Sequence, residues 1–485
     1  MKQYMENNLL EGWAWAKINY LVEINYGKGL KKERRKRGPF SVYGSNGVVG
    51  YHNAALTRGP TIILGRKGSI GAVHYSPKAC WPIDTTYFVD EFNGLDPKYL
   101  VHALRSLNLT ELDTSTAIPG LNRDSLYDQH LPIAPLAEQK RIVAKLEELL
   151  ARVNTTKDRL AKLSMILKRF RQAVLAAACS GRLTEGWREQ GPRVTPVDCS
   201  IQDILRHHEA EWVRTNGSSK KYKPPKDVKN NKLQELPEGW KYISSDALFS
   251  FVTSGSRGWA KYYAESGAIF IRVGNLDHDS ISLDLSDVQH VNPPTGQERD
   301  RTRIQLGDIL ISITADVGMI ALIQDEIGDA YINQHVSIAR PVGNIFRPYL
   351  AWYLASMKGG QAKFQDLQRG ATKVGLGLDD IKSVAIPFPP IEEQHEIVHR
   401  VESMFKLADA VEKRVASATT RAEKLTQSIL AKAFRGELVP TEAELARRER
   451  RSYEPASDLL ARIKSERESK VKSRKIHRNY GERHK

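Results

Sequence analysis

The chain has 485 residues, of which 41% are apolar and 27% charged, and a formal net charge of +16. That length supports two or three domains with real cores. No run approaches the ~18 apolar residues of a membrane span, and Met1 to Asn8 carry no apolar signal core. A soluble protein is therefore expected, with no membrane partner. Three cysteines (Cys80, Cys179, Cys199) show no metal spacing and cannot all pair, which suits a reducing cytoplasm. The 13 histidines are scattered, and His207-His208 has no further ligands close by. No metal site is expected.

The charge is unevenly placed. Lys28 to Arg37 carries +6, Lys220 to Lys232 carries +5, and Ala446 to the end carries +8, so the rest is about −3. Runs of this kind are often only solvated linkers or tails. On a basic chain their clustering makes nucleic acid the leading partner, through phosphate contacts and counterion release.

In chain order, a first globular segment opens at Glu11-Gly12-Trp13. Strand-like pieces follow at 48–51, 61–64 and 87–89, separated by glycine turns, and then a helix from Pro97 to Leu107. Leu131-Pro132-Ile133-Ala134-Pro135-Leu136-Ala137-Glu138-Gln139 leads into a long helix. Its apolar positions Ile142, Leu146, Leu149, Val153, Leu160, Leu163, Leu167, Phe170 and Val174 alternate by fours and threes, with Thr156 filling the gap. That is a coiled-coil seam. A Lys/Pro/Asn stretch that reads as a flexible linker precedes a second opening, Glu238-Gly239-Trp240. Strands at 268–271, 308–313 and 319–323 and a helix from Pro348 to Met357 belong to this second segment.

The motif then returns as Ile386-Pro387-Phe388-Pro389-Pro390-Ile391-Glu392-Glu393-Gln394, 255 residues on. The same offset maps the seam onto Ile397, Val401, Met404, Ala408, Val411, Val415, Ala418, Ala422, Leu425 and Ile429. It also pairs Gly120-Leu121 with Gly375-Leu376, Gly181 with Gly436, and Asp203-Ile204-Leu205 with Asp458-Leu459-Leu460. Prolines stop before each helix, a glutamate sits in each first turn, and a glycine closes each run. Two helices in register imply an intramolecular pair. About 43 residues at 1.5 Å each make a rod of roughly 65 Å. Symmetry favours antiparallel packing, since parallel helices would crowd both globular segments at one end. Beyond the opening tripeptide and the short helix, the two segments share little sequence.

Two dissimilar segments, each ending in Gly-Leu, then Pro-x-Pro-[Leu/Ile]-x-Glu-Gln, then a long helix closing in Gly-x-Leu, resemble the specificity subunit of type I restriction–modification enzymes. The doubled motif, with Glu138-Gln139 and Glu393-Gln394 intact, covers nearly the whole chain; Ala134 stands where the second copy has Pro389. The resemblance implies a non-catalytic subunit with two target-recognition domains, each reading one half of a split, asymmetric double-stranded DNA target. It also implies two methyltransferase subunits docked on the helices, bringing S-adenosylmethionine, and endonuclease-translocase subunits adding ATP and Mg²⁺ chemistry. This chain itself would hold no cofactor.

Other chemistry fares poorly. Asn292-Pro293-Pro294-Thr295 lacks the aromatic residue on which an adenine methyltransferase stacks its flipped base. No methionine-cofactor loop accompanies it. Gly65-Arg66-Lys67-Gly68-Ser69 lacks phosphate-loop spacing, although Arg66 and Lys67 on a glycine turn can approach a DNA backbone. Asn46, between Ser45 and Gly47, serves either a turn or a base edge. Lys31, Lys32, Arg34 and Arg35 are phosphate candidates. In the second segment the candidates are Arg257, Trp259, Lys261 and Tyr262, then Arg272 and Asn275, an Arg/aromatic/amide mixture suited to base contact.

The fold class that follows is α+β: two α/β target-recognition domains separated by two long helices in an antiparallel coiled coil. The expected division is a first recognition domain at 1–135, a helix at 136–182, and a linker with a short helix at 183–236. A second recognition domain at 237–390, a helix at 391–437 and a basic tail at 438–485 complete it. Two other classes compete: a tether that binds nucleic acid without sequence preference, and a self-contained adenine-N6 methyltransferase.

Overall fold

A computed structural model describes residues 9–112, 120–217, 220–228, 233–343, 345–368 and 375–467. Part of the Lys220–Lys232 stretch and the end of the basic tail lie outside these residues. The chain divides into two compact units, one of residues 1–160 with 417–485 and one of residues 161–416. Each contains one globular domain and one half of each long helix.

In the first unit, β1 (Ala14–Lys17), β2 (Asn25–Tyr26), β3 (Phe40–Gly44), β4 (Gly47–His52), β5 (Thr61–Gly65), β6 (Val73–Ser76), β7 (Trp81–Pro82) and β8 (Thr86–Val89) precede α1 (Pro97–Ser106). Then come β9 (His130–Ile133) and the start of α2 (Leu136–Cys179). The second unit continues α2 and adds α3 (Val197–Asn216), β10 (Lys241–Ser244), β11 (Phe249–Ser254), β12 (Tyr263–Ala264), β13 (Ala268–Ile271) and β14 (Gln289–Val291). It goes on through β15 (Ile309–Ser312), β16 (Ile320–Leu322), β17 (Ala330–Ile332), β18 (Val336–Pro341), α4 (Arg347–Ala355), β19 (Ala385–Phe388) and the start of α5 (Ile391–Phe434). The end of α5, α6 (Glu442–Glu449) and a helix α7 at 456–467 return to the first unit.

Each unit by itself requires the long helices to run antiparallel. In the first, the start of α2 (Ile142, Leu146) shares a core with the end of α5 (Ile429, Leu430, Ala433). In the second, the end of α2 (Val174, Leu175, Ala178) shares one with the start of α5 (Ile397, Val401, Phe405). There the Arg171 guanidinium also meets Asp409 at 2.5 Å and Glu412 at 2.8 Å. The seam is narrower than its sequence suggests. Leu146, Val153, Leu167 and Val174 are buried, as are Val401, Ala408, Val415, Ala422 and Ile429 at matching positions, while Leu160 is half-buried. The alternate positions open out: Leu149, Phe170, Met404 and Val411 are half-buried, Leu163 is 37% exposed and Leu425 50% exposed. One position per heptad carries the contact where only a single partner helix covers the surface, so Leu163 and Leu425 are corrected to solvent-facing residues.

The repeated motif residues hold each helix start in place. Glu138 is fully buried and accepts from the Trp13 indole N–H at 3.0 Å and from the Glu442 backbone N–H at 2.8 Å. Burial raises its pKa, and those two donors offset part of the cost of its charge. Glu393 is likewise buried, accepting from the Trp240 indole at 2.8 Å and the Thr184 hydroxyl at 2.6 Å, with the Arg188 guanidinium alongside. The opening Gly-Trp and the distant Glu-Gln are therefore partners. The glutamines brace the bend, Gln139 donating to the Ala134 carbonyl at 2.8 Å and Gln394 to the Pro389 carbonyl at 2.9 Å. Tyr99 of α1 and Tyr349 of α4 donate to the Pro132 and Pro387 carbonyls.

The closing glycines complete the arrangement. Gly181 has φ +73° and Gly436 φ +72°, a left-handed conformation that ends a helix without a Cβ penalty. A Cβ at Gly181 would stand 2.5 Å from Pro237 and 3.3 Å from Trp240; at Gly436 it would stand 1.8 Å from Leu10. Each long helix thus ends against the opening of a globular domain within its own unit.

The globular domains share more than their sequences show. In each, a four-stranded antiparallel sheet, β2-β8-β5-β6 or β11-β18-β15-β16, is accompanied by a mixed one, β4-β3-β7 or β12-β14-β13-β17. The pairs β3·β7 and β13·β17 are parallel. The ribbons β1·β9 and β10·β19 join each domain's opening to the strand before its long helix. The expectation that the contents had diverged therefore holds for side chains only, because a sheet constrains burial pattern rather than residue identity.

The 255-residue repeat also reaches beyond the long helices. Ile204 and His208 of α3 are buried in the second unit, and their counterparts Leu459 and Ile463 of α7 in the first. The linker helix and the tail helix are thus one repeated element, each covering its own domain. This corrects both readings. The linker is held as far as 228, with Tyr222 hydrogen-bonded to His208 at 3.0 Å and the Lys226 N–H donating to Asp246. The tail is core as far as Ile463, where basic side chains such as Arg451 pair with Glu442 while Ala456 and Leu459 face inward.

Trp13→Phe and Trp240→Phe keep the ring but remove a donor to a buried carboxylate, and each should cost about 1.5–3 kcal/mol in denaturant unfolding of the purified chain. Leu425→Ser should stay within about 0.5 kcal/mol. Leu459→Ala should cost about 2–5 kcal/mol; a neutral result there would mean that α7 is only a tail.

Candidate nucleic-acid interface

In the first domain three loops converge. The β3–β4 turn presents exposed Asn46, while Ser45 donates to the carbonyls of Lys67 and, at 3.1 Å, Thr85. The β5–β6 loop carries Arg66 and Lys67, whose N–H groups both donate to the Thr85 carbonyl. Leu121 closes the group by donating its N–H to the Arg66 carbonyl at 2.9 Å, with its side chain buried in the domain core. Asn46, Arg66 and Lys67 are therefore neighbours although 20 residues separate the turn from the loop.

Their roles differ. Lys67 is exposed, whereas Arg66 spends its guanidinium on the Asp84 carbonyl at 3.1 Å and on the Tyr26 and Tyr87 rings. In the basic stretch, Lys31, Lys32 and Arg34 are exposed. Arg35 is half-buried and donates to the Val49 carbonyl at 2.7 Å, stapling the stretch to β4. The structure therefore makes Arg35 a scaffold residue before a phosphate contact. Beside it, Val48, Val49 and Tyr51 expose apolar surface at 49%, 44% and 59%.

The second domain gathers the equivalent loops. Leu376 donates to the Ile313 carbonyl as Leu121 does to Arg66, and Ile313 donates to the His335 carbonyl as Arg66 does to Thr85. The register makes Thr314-Ala315-Asp316 the counterpart of Lys67-Gly68-Ser69. Ala315 even keeps φ +66° where Gly68 has +79°, a conformation uncommon for a residue with a Cβ. Ser256 bridges to Asn333, which brings exposed Arg257 to the same cluster. A hollow of about 340 Å³ opens among Arg272, Asn275, Ala315, Asn333 and His335.

Two candidates from the sequence fail here. Trp259 is 3% exposed, stacked 5.7 Å from Phe270 and packed on Tyr331, so it is core. Asn275 is 3% exposed and spends its amide on the Arg272 N–H and on the carbonyls of Asp284 and Asp287, so it shapes the loop rather than reaching outward. In both cases a residue that looked suited to a base already had partners inside the domain, Trp259 on β13 and β17 and Asn275 within its own loop. Lys261 is exposed with its ammonium 5.0 Å over the half-buried Tyr262 ring. Arg272 is half-buried, with Asp287 3.8 Å away. Asp84, Thr85, Thr314, Gln334 and His335 escaped the sequence reading. The signal was positional, since each follows or precedes a buried strand by one or two residues, yet no composition marks it.

Asn292-Pro293-Pro294-Thr295 is a turn after β14, with the Asn292 N–H on the Tyr262 carbonyl. Among the described residues no group of three or more His, Cys, Asp or Glu side chains could hold a metal ion, and no helix is long and apolar enough to cross a membrane. Burial pushes the Cys179 thiol up to about 12, and the half-buried side chain packs against the core of the second unit.

The model of the type I restriction modification DNA specificity domain matches this chain twice, over residues 10–165 and 225–418. The chain belongs to that family. This specificity subunit is 34% identical over 359 residues to the type I restriction enzyme EcoBI specificity subunit of Escherichia coli, the match spanning 72% of this chain and 66% of that protein. It is 28% identical over 433 residues to the EcoDI specificity subunit of Escherichia coli, spanning 88% of each. A solved chain from work on complex assembly and conformational transition of the type I R-M system resembles it in fold, with a TM-score of 0.57 at 18% identity, covering 88% of this chain and 99% of that one. The relatives are specificity subunits, so the role that goes with the family is recognition of DNA sequence, not catalysis.

Replacing Lys31, Lys32 and Arg34 by alanine should weaken binding to every duplex alike and flatten the log K against log salt slope by about 0.9 per lost phosphate contact. Trp259→Ala should instead cost about 3–5 kcal/mol of stability with that slope unchanged in the folded fraction. A loss of base preference in a fully stable Trp259→Ala protein would return that residue to the interface.

Proposed function

We propose that this specificity subunit reads a bipartite, asymmetric double-stranded DNA target, one half through each globular domain, and scaffolds the catalytic subunits of its complex. The observation that carries the reading is that both domains share one sheet arrangement and one loop register, yet present different loop side chains. Lys67, Asp84 and Thr85 in the first domain stand where Thr314, Gln334 and His335 stand in the second. A shared frame with different contents suits two half-sites of different sequence, because base-edge contacts specify while the frame positions.

Two methyltransferase subunits would dock on the duplicated helices and bring S-adenosylmethionine. Endonuclease-translocase subunits would add ATP and Mg²⁺. The assembly would act in the cytoplasm. The basic surface residues Lys31, Lys32, Arg34 and Lys67 would contact phosphates of the first half-site, and Arg257, Lys261 and Arg272 those of the second.

Exchanging residues 11–130 for the equivalent segment of a relative, in the complete complex, should change one half of the methylated site and leave the other half and the spacing intact. A change in both halves contradicts the assignment of one half-site per domain. The purified chain alone should transfer no methyl group from S-adenosylmethionine to DNA; transfer without partners would sink the reading.

A further inference from the structure

The tight turn between β17 and β18 belongs to the second domain's loop cluster and is anchored at both ends. The Val336 N–H donates to the Asn333 carbonyl at 3.1 Å, which leaves Gln334 and His335 as the two central residues. Asn333 is 8% exposed; its side chain accepts from the His335 N–H at 3.0 Å, and its own N–H donates to the Ile271 carbonyl at 3.0 Å. A turn anchored in this way gives its tip little freedom.

Beyond the backbone, a polar relay sets the Gln334 side chain. Its amide nitrogen lies 3.0 Å from His335 Nε2, and His335 Nδ1 is paired with the Thr314 hydroxyl. An amide nitrogen can only donate, so His335 Nε2 accepts and the ring proton sits on Nδ1, donated to Thr314. The contact uses one amide hydrogen. What remains on the same amide is Oε1 as an acceptor and one N–H as a donor. That is the pair a glutamine offers to adenine, accepting from N6 and donating to N7.

We propose that Gln334 reads an adenine in the second half-site through this bidentate contact, with His335 and Thr314 as positioning residues that orient its amide. The inference rests on the reading of this domain as a DNA-recognition module. Arg272 lines a hollow together with the neighbouring Asn333 and His335 of the turn. The first domain supports the placement. Its corresponding turn closes with the Thr86 N–H on the Ile83 carbonyl at 3.0 Å and presents exposed Asp84 at the matching tip. A carboxylate only accepts, which suits cytosine N4 rather than adenine. The same turn in two domains would then read two different bases.

The test uses the full chain in its complex, with methylated sites mapped across a genome and melting of each variant measured beside it. Gln334→Ala should lower discrimination at one position of the second half-site on the order of 10- to 100-fold, with the first half-site and the spacing unchanged. Gln334→Glu, now acceptor-only, should move the preference at that position from adenine toward cytosine. His335→Ala should loosen the same single position, whereas a merely structural role would reduce methylation evenly at all positions. An unchanged second half-site in Gln334→Ala, or an even loss across the site in a variant that melts normally, overturns the proposal. Exchanging the whole second domain separates the two levels. If the exchange alters the second half-site while Gln334→Ala does not, only this inference falls; if neither alters it, the half-site assignment itself falls.

Discussion

A buried carboxylate at the start of each long helix is the interaction on which the rest depends. Glu138 and Glu393 are both shielded from water, and each is held by the indole N–H of a tryptophan from the opening of the adjoining domain. An ionised group in such a place is costly unless donors surround it. The donors come from far apart in the chain: Trp13 and the segment after α5 for Glu138, Trp240 and the segment after α2 for Glu393. Each carboxylate therefore ties together a domain's first residues, the start of one long helix and the end of the other. Within each unit that junction joins the start of one long helix to the segment after the other, as antiparallel pairing requires.

The seam itself adds less than its heptads promise. Only one position per heptad is closed over the middle of the helices, and large apolar side chains such as Leu425 and Leu407 stay open to solvent at 50% and 63%. Those surfaces are too isolated to fix register, since exposed single apolar residues are ordinary. Register is set at the helix ends by the Glu/Trp pairs, the glutamine braces and the closing glycines. The middle is left free to present its outer face.

The recognition domains show the opposite economy. Strands β5, β8, β15, β16 and β17 are buried throughout, while the loops at the strand ends carry the side chains that differ. Thr314, Gln334 and His335 replace Lys67, Asp84 and Thr85 while the bonds from Arg66 or Ile313, from Leu121 or Leu376, and across the closing turn recur. A domain of this design can change what it reads without changing how it folds. Trp259 and Asn275 show the complementary rule. A side chain of the right chemistry in a loop was already committed, one to an aromatic cluster and the other to three backbone partners.

By itself the sequence determined the duplication, the helix pair, the position of every motif residue and, through the doubled Glu-Gln motif, the family. Those features are written as repeats and periodicities, which survive without coordinates. Only the tertiary structure decided why the motif residues recur, because the tryptophan partners of Glu138 and Glu393 lie 125 and 153 residues away in the chain. It also decided that the linker and the tail each carry a covering helix, since the 255-residue offset pairs Ile204 with Leu459 but only their burial shows that both face a domain core. The candidate interface was legible only in part. Basic runs announce themselves by charge, but which amide or imidazole faces outward depends on strand register and on what each side chain touches first, and neither is local in the sequence.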